Sequence, residues 1–206
     1  MTIEREIRLA CGLAVEQRRT SAPPTLRGYA AVFDSETDIG GFWREKIARG
    51  AFADAITKAS ADVHALFNHD PNLVLGRMKA GTLRLAEDER GLTVEIDPPD
   101  TQDARDLIAK ISRGDIDQMS FAFTMRGGVQ SWDDGQNPPL RTIEKVGELY
   151  DVSVVTRGAY PTTEVGVRSL EAWREGQRRQ HNFRAASLRV QLKRDWISRS
   201  GEQSAR

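Results

Sequence analysis

The sequence predicts a mixed α+β domain whose strands are mostly antiparallel or close into a barrel. Short apolar runs bounded by Gly, Pro, Asn and Asp recur between residues 26 and 156, a pattern typical of strands joined by turns. Helical spacing of apolar residues is confined to short segments, so two or three helices are expected beside the strands. A length of 206 residues suits one domain with appendages, or at most two small domains.

The first half of the chain predicts five strands and one short helix. Phe52 and Ile56 share one helical face, which indicates a helix that opens at Gly50. The polar residues 34–41 read as a loop, and Asp70-Pro71-Asn72 as a turn that stops a strand. The predicted strands are residues 3–9 (an edge strand or an arm), 26–33, 42–47, 62–68 and 73–78.

The second half predicts one longer helix and five more strands. Asp100 or Thr101 caps a helix that runs through Ile111, and Gly114 ends it. The segment around Trp132 is rich in Gly, Asp and Pro, so it is predicted as an exposed loop. The predicted strands are residues 82–86 and 91–96, which form a hairpin across a charged turn, and 119–125, 140–146 and 149–156.

Charge and cysteine content limit the classes of function. Lys plus Arg and Asp plus Glu number 30 each, so no overall field attracts nucleic acid or a membrane. From residue 168 onward, the chain has ten basic residues and only four acidic ones, which makes a basic tail.

Cys11 is the only cysteine, which excludes an intramolecular disulfide and indicates a reducing compartment. No apolar run reaches the length of a membrane span and no apolar signal core begins the chain, so a cytoplasmic location is expected.

Two polar side chains interrupt apolar, strand-like runs. His69 lies at the exit of a strand before a Pro-forced turn, a position that suits an exposed base. Ser120 lies between Met119 and Phe121 inside a strand. An imidazole and a hydroxyl are the two parts of a base-activated serine nucleophile. The alternatives are a surface histidine that caps the turn and a strand serine bonded to backbone; Ser153 has no better claim than Ser120.

An acidic residue would be needed to orient the imidazole. Asp151 enters a strongly apolar strand, where an unpaired carboxylate is costly and a partner such as His69 would explain it. Glu148 is the second candidate, and either could instead be a strand-end carboxylate in water. His64 and His69 fall on opposite faces of a strand, so no metal site is expected. No phosphate-loop spacing occurs, so no cofactor is expected either.

Five segments occur in a specific order, closed by Ala159-Tyr160-Pro161. They are GYAAVF at 28–33, EKIARGAF at 45–52, FNHD at 67–70, MSFAF at 119–123 and ELYDVSVVT at 148–156. Together they resemble the prohead (capsid maturation) proteases of tailed bacteriophages. The resemblance covers residues 26–167 as a protease domain and leaves an N-terminal arm at 1–25 and the basic tail at 168–206.

The resemblance implies a fold similar to the herpesvirus assembly proteases, a compact closed β-barrel surrounded by helices. It implies a serine endopeptidase in which His69 is the general base and Ser120 the nucleophile. In the herpesvirus enzymes a second histidine orients the base. The corresponding position here is Asp151, with Glu148 as the second choice.

The oxyanion site and the biology follow from the same resemblance. Arg157 and Gly158 follow the last strand and are the candidates for oxyanion stabilisation, although family members more often have an apolar residue and Pro there. The implied substrate is the N-terminal scaffolding segment of the major capsid protein, or a separate scaffold, and the protease itself. The resemblance also implies that cleavage takes place inside the procapsid in the host cytoplasm, with no nucleic acid required and no membrane.

Two further expectations concern assembly and the tail. The herpesvirus proteases are activated by dimerisation, so the analogy implies a weak homodimer. The basic tail suits an enzyme retained by a scaffold, and cleavage within residues 165–206 is expected; the alternative is a tail that only improves solubility.

Two other functions stay open from the residues alone. One is a non-catalytic assembly module of the same fold, and the other is an unrelated hydrolase that uses Cys11 or His64.

Overall fold

In the computed structural model, the described residues are 5–11, 13–16, 24–156 and 175. They form thirteen strands and two helices. The helices are α1 (Ala53–Thr57) and α2 (Gln102–Arg113). The strands are β1 (Glu6–Cys11), β2 (Ala14–Glu16), β3 (Thr25–Val32), β4 (Thr37–Ile39), β5 (Trp43–Ile47), β6 (His64–Phe67), β7 (Asp70–Arg77), β8 (Leu83–Glu87), β9 (Gly91–Ile96), β10 (Gln118–Thr124), β11 (Val129–Asp133), β12 (Leu140–Lys145) and β13 (Glu148–Val155).

The strands build three separate sheets. Their orders are β1-β10-β13-β6-β7, β11-β12-β5-β4 and β2-β3-β9-β8. The predicted closed barrel is therefore wrong, since a barrel requires the first and last strands of one sheet to be hydrogen-bonded to each other. The expectation of surrounding helices also fails, because the described residues contain only α1 and α2. The sheets meet through side chains in one apolar core and each keeps two edge strands.

Most of the strand pairing is antiparallel. Among the described residues, only β12 with β5 and β13 with β6 pair in parallel. The predicted hairpin is confirmed as β8 and β9. In the predicted longer helix, α2, the Thr101 hydroxyl accepts from the backbone N–H of Ala104, and Gly114 ends the helix with φ of 82°.

Three short strands were missed by sequence reasoning. β2, β4 and β11 lie in segments without clear apolar alternation, and β4 and β11 replace the loops predicted at 34–41 and around Trp132. The Trp132 ring packs edge-on against the buried Trp43 ring at 5.8 Å, which links β11 to β5 within the second sheet. These strands are stabilised by tertiary pairing rather than by local sequence preference.

A buried ionic cluster links the first sheet to the second. Arg8 of β1 binds Glu6 at 2.7 Å and also binds Glu45 of β5. Arg141 of β12 binds Glu6 at 2.6 Å and Glu45 at 2.8 Å. The two positive and two negative charges balance, and all four residues are buried. The cluster fixes β1 against β5 and β12 through charges that water does not screen.

The chain divides into two compact units, Met1–Thr163 and Glu164–Arg206. All three sheets belong to the first unit. Apart from Glu175, the predicted basic tail at 168–206 lies outside the described residues. Within the described part of the chain, no helix is long and apolar enough to cross a membrane. The division into arm, protease domain and tail stays a prediction.

Candidate active site

Strand β10 places Ser120 on the face of its sheet that points away from the core. Met119 and Phe121 belong to the apolar core, and side chains alternate along a strand, so Ser120 faces the other side. The register pairs Ser120 with Leu9 of β1 and with Ser153 of β13. Two neighbouring strands therefore flank the hydroxyl.

A two-residue turn positions His69. Phe67 of β6 pairs with Asp70 of β7, which leaves Asn68 and His69 as the turn residues with φ of 52° and 58°. Two successive positive φ values define a type I′ hairpin turn, which Asn tolerates well at its first position. The backbone N–H of Thr156, just after β13, donates to Oδ1 of Asn68 at 3.0 Å. The turn therefore lies at residues 68–69, two residues before the predicted start at 70, and a hydrogen bond joins it to the end of β13.

A β-bulge brings Asp151 to the same face as Ser120. Leu149 of β13 pairs with Phe123, whereas Asp151 pairs with the next residue, Ala122, so Tyr150 is the extra residue of the bulge. Leu149 belongs to the core, and Asp151 faces away from it. Without the bulge, strict alternation would put both side chains on one face.

These three elements form a continuous hydrogen-bonded chain. Nε2 of His69 lies 2.8 Å from Oγ of Ser120, and Nδ1 lies 2.7 Å from Oδ1 of Asp151. Ser153 donates to the same Oδ1 at 2.7 Å and lies 3.2 Å from Nδ1 of His69. With Nδ1–H donating to the carboxylate, Nε2 is left as the acceptor that faces the Ser120 hydroxyl.

The environment favours a neutral imidazole. Burial lowers the pKa of His69 to about 4, and the nearby guanidinium of Arg5 acts in the same direction. The side chain of His69 is 14% exposed and that of Asp151 is 2% exposed. At neutral pH, His69 is therefore unprotonated and able to accept a proton.

The segment around β1 adds two contacts that sequence reasoning missed. Arg5, just before β1, binds Oδ2 of Asp151 through its guanidinium. Oγ of Ser120 also lies 2.8 Å from the carbonyl oxygen of Arg8. The single hydroxyl proton of Ser120 has two acceptors, this carbonyl and Nε2 of His69. No sequence signal joins Arg5 to Asp151, because strand order is decided by the fold.

Ser120 has no exposed surface, so a peptide bond reaches Oγ only after local movement. Of the three side chains in the hydrogen-bonded chain, His69 is the most exposed. Burial therefore shields the hydroxyl of Ser120 from water.

Glu148, His64 and Cys11 lie on three different strands, β13, β6 and β1. Glu148 is exposed at the start of β13, opposite Thr124, on the far side of the bulge from Asp151. His64 lies beside Asp151 in the β6–β13 register. Cys11 ends β1, opposite Gln118. The oxyanion candidates at 157 and 158 lie outside the described residues. Within the described ranges, no cluster of His, Cys, Asp or Glu is arranged to hold a metal ion.

A serine hydroxyl, an imidazole and a carboxylate bonded in this order can form a base-activated nucleophile, the arrangement of serine hydrolases. Comparison with protein families agrees with this chemistry. The family model described as caudovirus prohead serine protease matches residues 13–176, and the chain belongs to this family. Comparisons with curated proteins and with solved structures found no match.

Family membership makes the chain a serine peptidase of phage capsid maturation. It implies a capsid protein as substrate and action within the procapsid in the host cytoplasm. These are the coarse features that the sequence segments had predicted.

Proposed function

We propose that the chain is a serine endopeptidase in which Ser120 is the nucleophile, His69 the general base and Asp151 the residue that orients the base. The observation that carries the proposal is His69, which is bonded at 2.8 Å to Ser120 and at 2.7 Å to Asp151. Both distances are within the range expected of a nucleophile, its base and the orienting carboxylate.

The mechanism follows from the positions of the protons. Nε2 of His69 takes the proton of Ser120 as Oγ attacks the peptide carbonyl. The carboxylate of Asp151 holds the Nδ1–H tautomer and stabilises the imidazolium that forms. His69 then gives the proton to the leaving amine, which departs and leaves an acyl-enzyme on Ser120. A water molecule, deprotonated by His69, attacks the acyl-enzyme, and His69 then returns the proton to Oγ of Ser120 as the acyl group leaves.

The tetrahedral intermediate requires hydrogen-bond donors for its oxyanion. We retain Arg157 and Gly158 as candidates, because they directly follow the strand that carries Asp151. Backbone N–H groups or the guanidinium would serve there. Neutral substitution of Arg157 combined with kinetics on a capsid peptide tests this role.

The proposed substrates are the scaffolding segment of the major capsid protein, or a separate scaffold, and the protease itself. The balance of ten basic against four acidic residues from position 168 onward suits retention by an acidic scaffold and later removal by self-cleavage. A weak homodimer remains an expectation by analogy. Mass spectrometry that finds an intact tail in an active preparation would contradict self-cleavage.

The direct test is Ser120→Ala co-expressed with the capsid gene. Loss of capsid processing, with the variant still folded, is the expected result. An unchanged processing pattern would leave the second function, a non-catalytic assembly module of the same fold.

A fluorophosphonate that labels the wild type at Ser120 but does not label Ser120→Ala gives independent support for the proposed nucleophile. A thiol reagent that abolishes activity through Cys11 would favour the third function, an unrelated hydrolase.

A further inference from the structure

The carboxylate of Asp151 is enclosed from three sides. Its Oδ1 accepts from His69 and from Ser153, both at 2.7 Å. Its Oδ2 is buried and, among the described residues, has no hydrogen-bond partner other than the contact from the Arg5 guanidinium. A buried carboxylate oxygen without a partner is costly, so the Arg5 contact compensates a large desolvation penalty.

Arg5 is itself held in place. Its guanidinium carbon lies 5.7 Å from the centre of the Tyr150 ring, the residue that forms the bulge beside Asp151. Glu6, the next residue, begins β1 and joins the buried ionic cluster through Arg141. The Tyr150 ring therefore orients the guanidinium of Arg5, and the neighbouring strand β1 fixes its backbone.

We propose that Arg5 is a positioning residue for the catalytic centre: it binds Oδ2 of Asp151 and thereby holds Oδ1 in line with Nδ1 of His69. The proposal rests on the roles given above to Ser120, His69 and Asp151. It makes the N-terminal strand, which is paired with the nucleophile strand β10, a part of the active site rather than an appendage.

The charges that face His69 come from few elements. Asp151 approaches from β13 and Arg5 from the segment before β1. Glu148 and Tyr150, also on β13, interact electrostatically with each other, and Tyr150 with Arg5. His64 of β6 lies in register with Asp151. Removal of the Arg5 charge leaves the carboxylate uncompensated, which favours protonation of His69.

The first experiment measures nucleophile reactivity. Arg5→Gln and Arg5→Lys are compared with wild type by the rate of Ser120 labelling with a fluorophosphonate between pH 4 and pH 8. Arg5→Gln is expected to label about tenfold more slowly at pH 8, well below the ~10⁴-fold loss of a triad carboxylate. The fall of the labelling rate toward low pH is expected at a higher pH in Arg5→Gln than in wild type. In Arg5→Lys this fall is expected near the wild-type pH.

The second experiment does not depend on the reactivity of Ser120. The NMR titration of His69, identified with His69→Gln, gives its pKa in wild type and in both variants. Arg5→Gln is expected to raise this pKa and Arg5→Lys to raise it less. Arg27→Gln is the matched control, since Arg27 is a surface arginine that binds Glu16 and Glu95 away from the site.

The outcomes separate the two proposals. If Ser120→Ala is still labelled at the wild-type rate, the proposed function fails. If Ser120 is the labelled residue but Arg5→Gln keeps both the wild-type pH dependence of labelling and the wild-type His69 titration, the role of Arg5 is overturned. Because Arg5 is 44% exposed, methylguanidinium added to Arg5→Ala is also expected to restore labelling, which a purely structural role would not allow.

Discussion

The hydroxyl of Ser153 donates a hydrogen bond of 2.7 Å to Oδ1 of Asp151, the oxygen that also accepts from His69. By sequence alone, Ser153 is an equal but unsupported rival of Ser120. The fold gives it another position, beside Ser120 in the β10–β13 register and completely buried. Ser153 thus belongs to the set of donors that orients the carboxylate.

Replacement of this hydroxyl is expected to reduce activity without abolishing it. A hydrogen bond to a charged group contributes about 1.5–3 kcal/mol, so Ser153→Ala is expected to lower kcat by about 10- to 150-fold. Ser131→Ala is the matched control, since Ser131 also donates to a carboxylate, Glu144 at 2.6 Å, but on an exposed strand. Capsid cleavage assays on purified variants provide the measurement. A fluorophosphonate adduct on Ser153 instead of Ser120 would make Ser153 the nucleophile.

The identity of the orienting acid can be tested by amide replacement. Asp151→Asn keeps the size of the side chain but favours the wrong imidazole tautomer, so kcat is expected to fall by ~10³–10⁴-fold. Glu148→Gln, at an exposed position, is expected to keep most of the activity. The reverse order of losses in a single-turnover assay would transfer the role from Asp151 to Glu148.

Activity should be lost only at low pH, on the acid side of the pH profile. In the proposed mechanism the active form needs neutral His69, and burial together with Arg5 lowers the pKa of this residue to about 4. Activity that depends on His69 is therefore retained as the pH falls through 6.5 and is lost as it falls through about 4. The pH profile of kcat/KM measures this loss. A loss near pH 6.5, with the protein still folded, would contradict the description of the imidazole as desolvated.

The turn before β7 should be sensitive to Asn68. Asn68 adopts φ of 52° and accepts from the Thr156 backbone at 3.0 Å, so Asn68→Ala adds strain and removes an acceptor. A loss of about 1–3 kcal/mol in the free energy of unfolding is expected, with a lower kcat because His69 moves. Asn68→Gly restores the backbone freedom but not the acceptor, so it should lie between wild type and Asn68→Ala. Equal urea midpoints for all three proteins would rule out this role.

The buried ionic cluster should contribute strongly to stability. Arg141→Met leaves Glu6 and Glu45 with only Arg8 as a buried partner. Loss of one member of a buried charge network is expected to cost about 3–5 kcal/mol in the free energy of unfolding, measured by urea titration.

A surface pair gives the comparison for this prediction. Arg49 binds Asp34 at 3.1 Å with both side chains more than half exposed, so Arg49→Met should cost less than about 1 kcal/mol. If Arg141→Met costs no more than Arg49→Met, the cluster has no special role in holding β1 against β5 and β12.

The candidates for the site could be proposed from sequence because their signals are local, while their roles came from the resemblance to the family. A polar residue inside an apolar strand is visible in one short window, which singled out Ser120, His69 and Asp151. The strong turn signals likewise gave the β8–β9 hairpin and the caps of α2. These features depend on neighbours within a few residues, so their physical cause is contained in the local sequence.

The sequence by itself determined the strand-rich class, the helix α2, the candidate nucleophile and base, and the family. Only the tertiary structure decided that the sheets stay open, that a bulge at Tyr150 turns Asp151 away from the core, and that Arg5 lies against that carboxylate. These features depend on strand order and register between distant segments. The free energy that fixes them comes from pairing and burial of residues far apart in the chain, which no local pattern records.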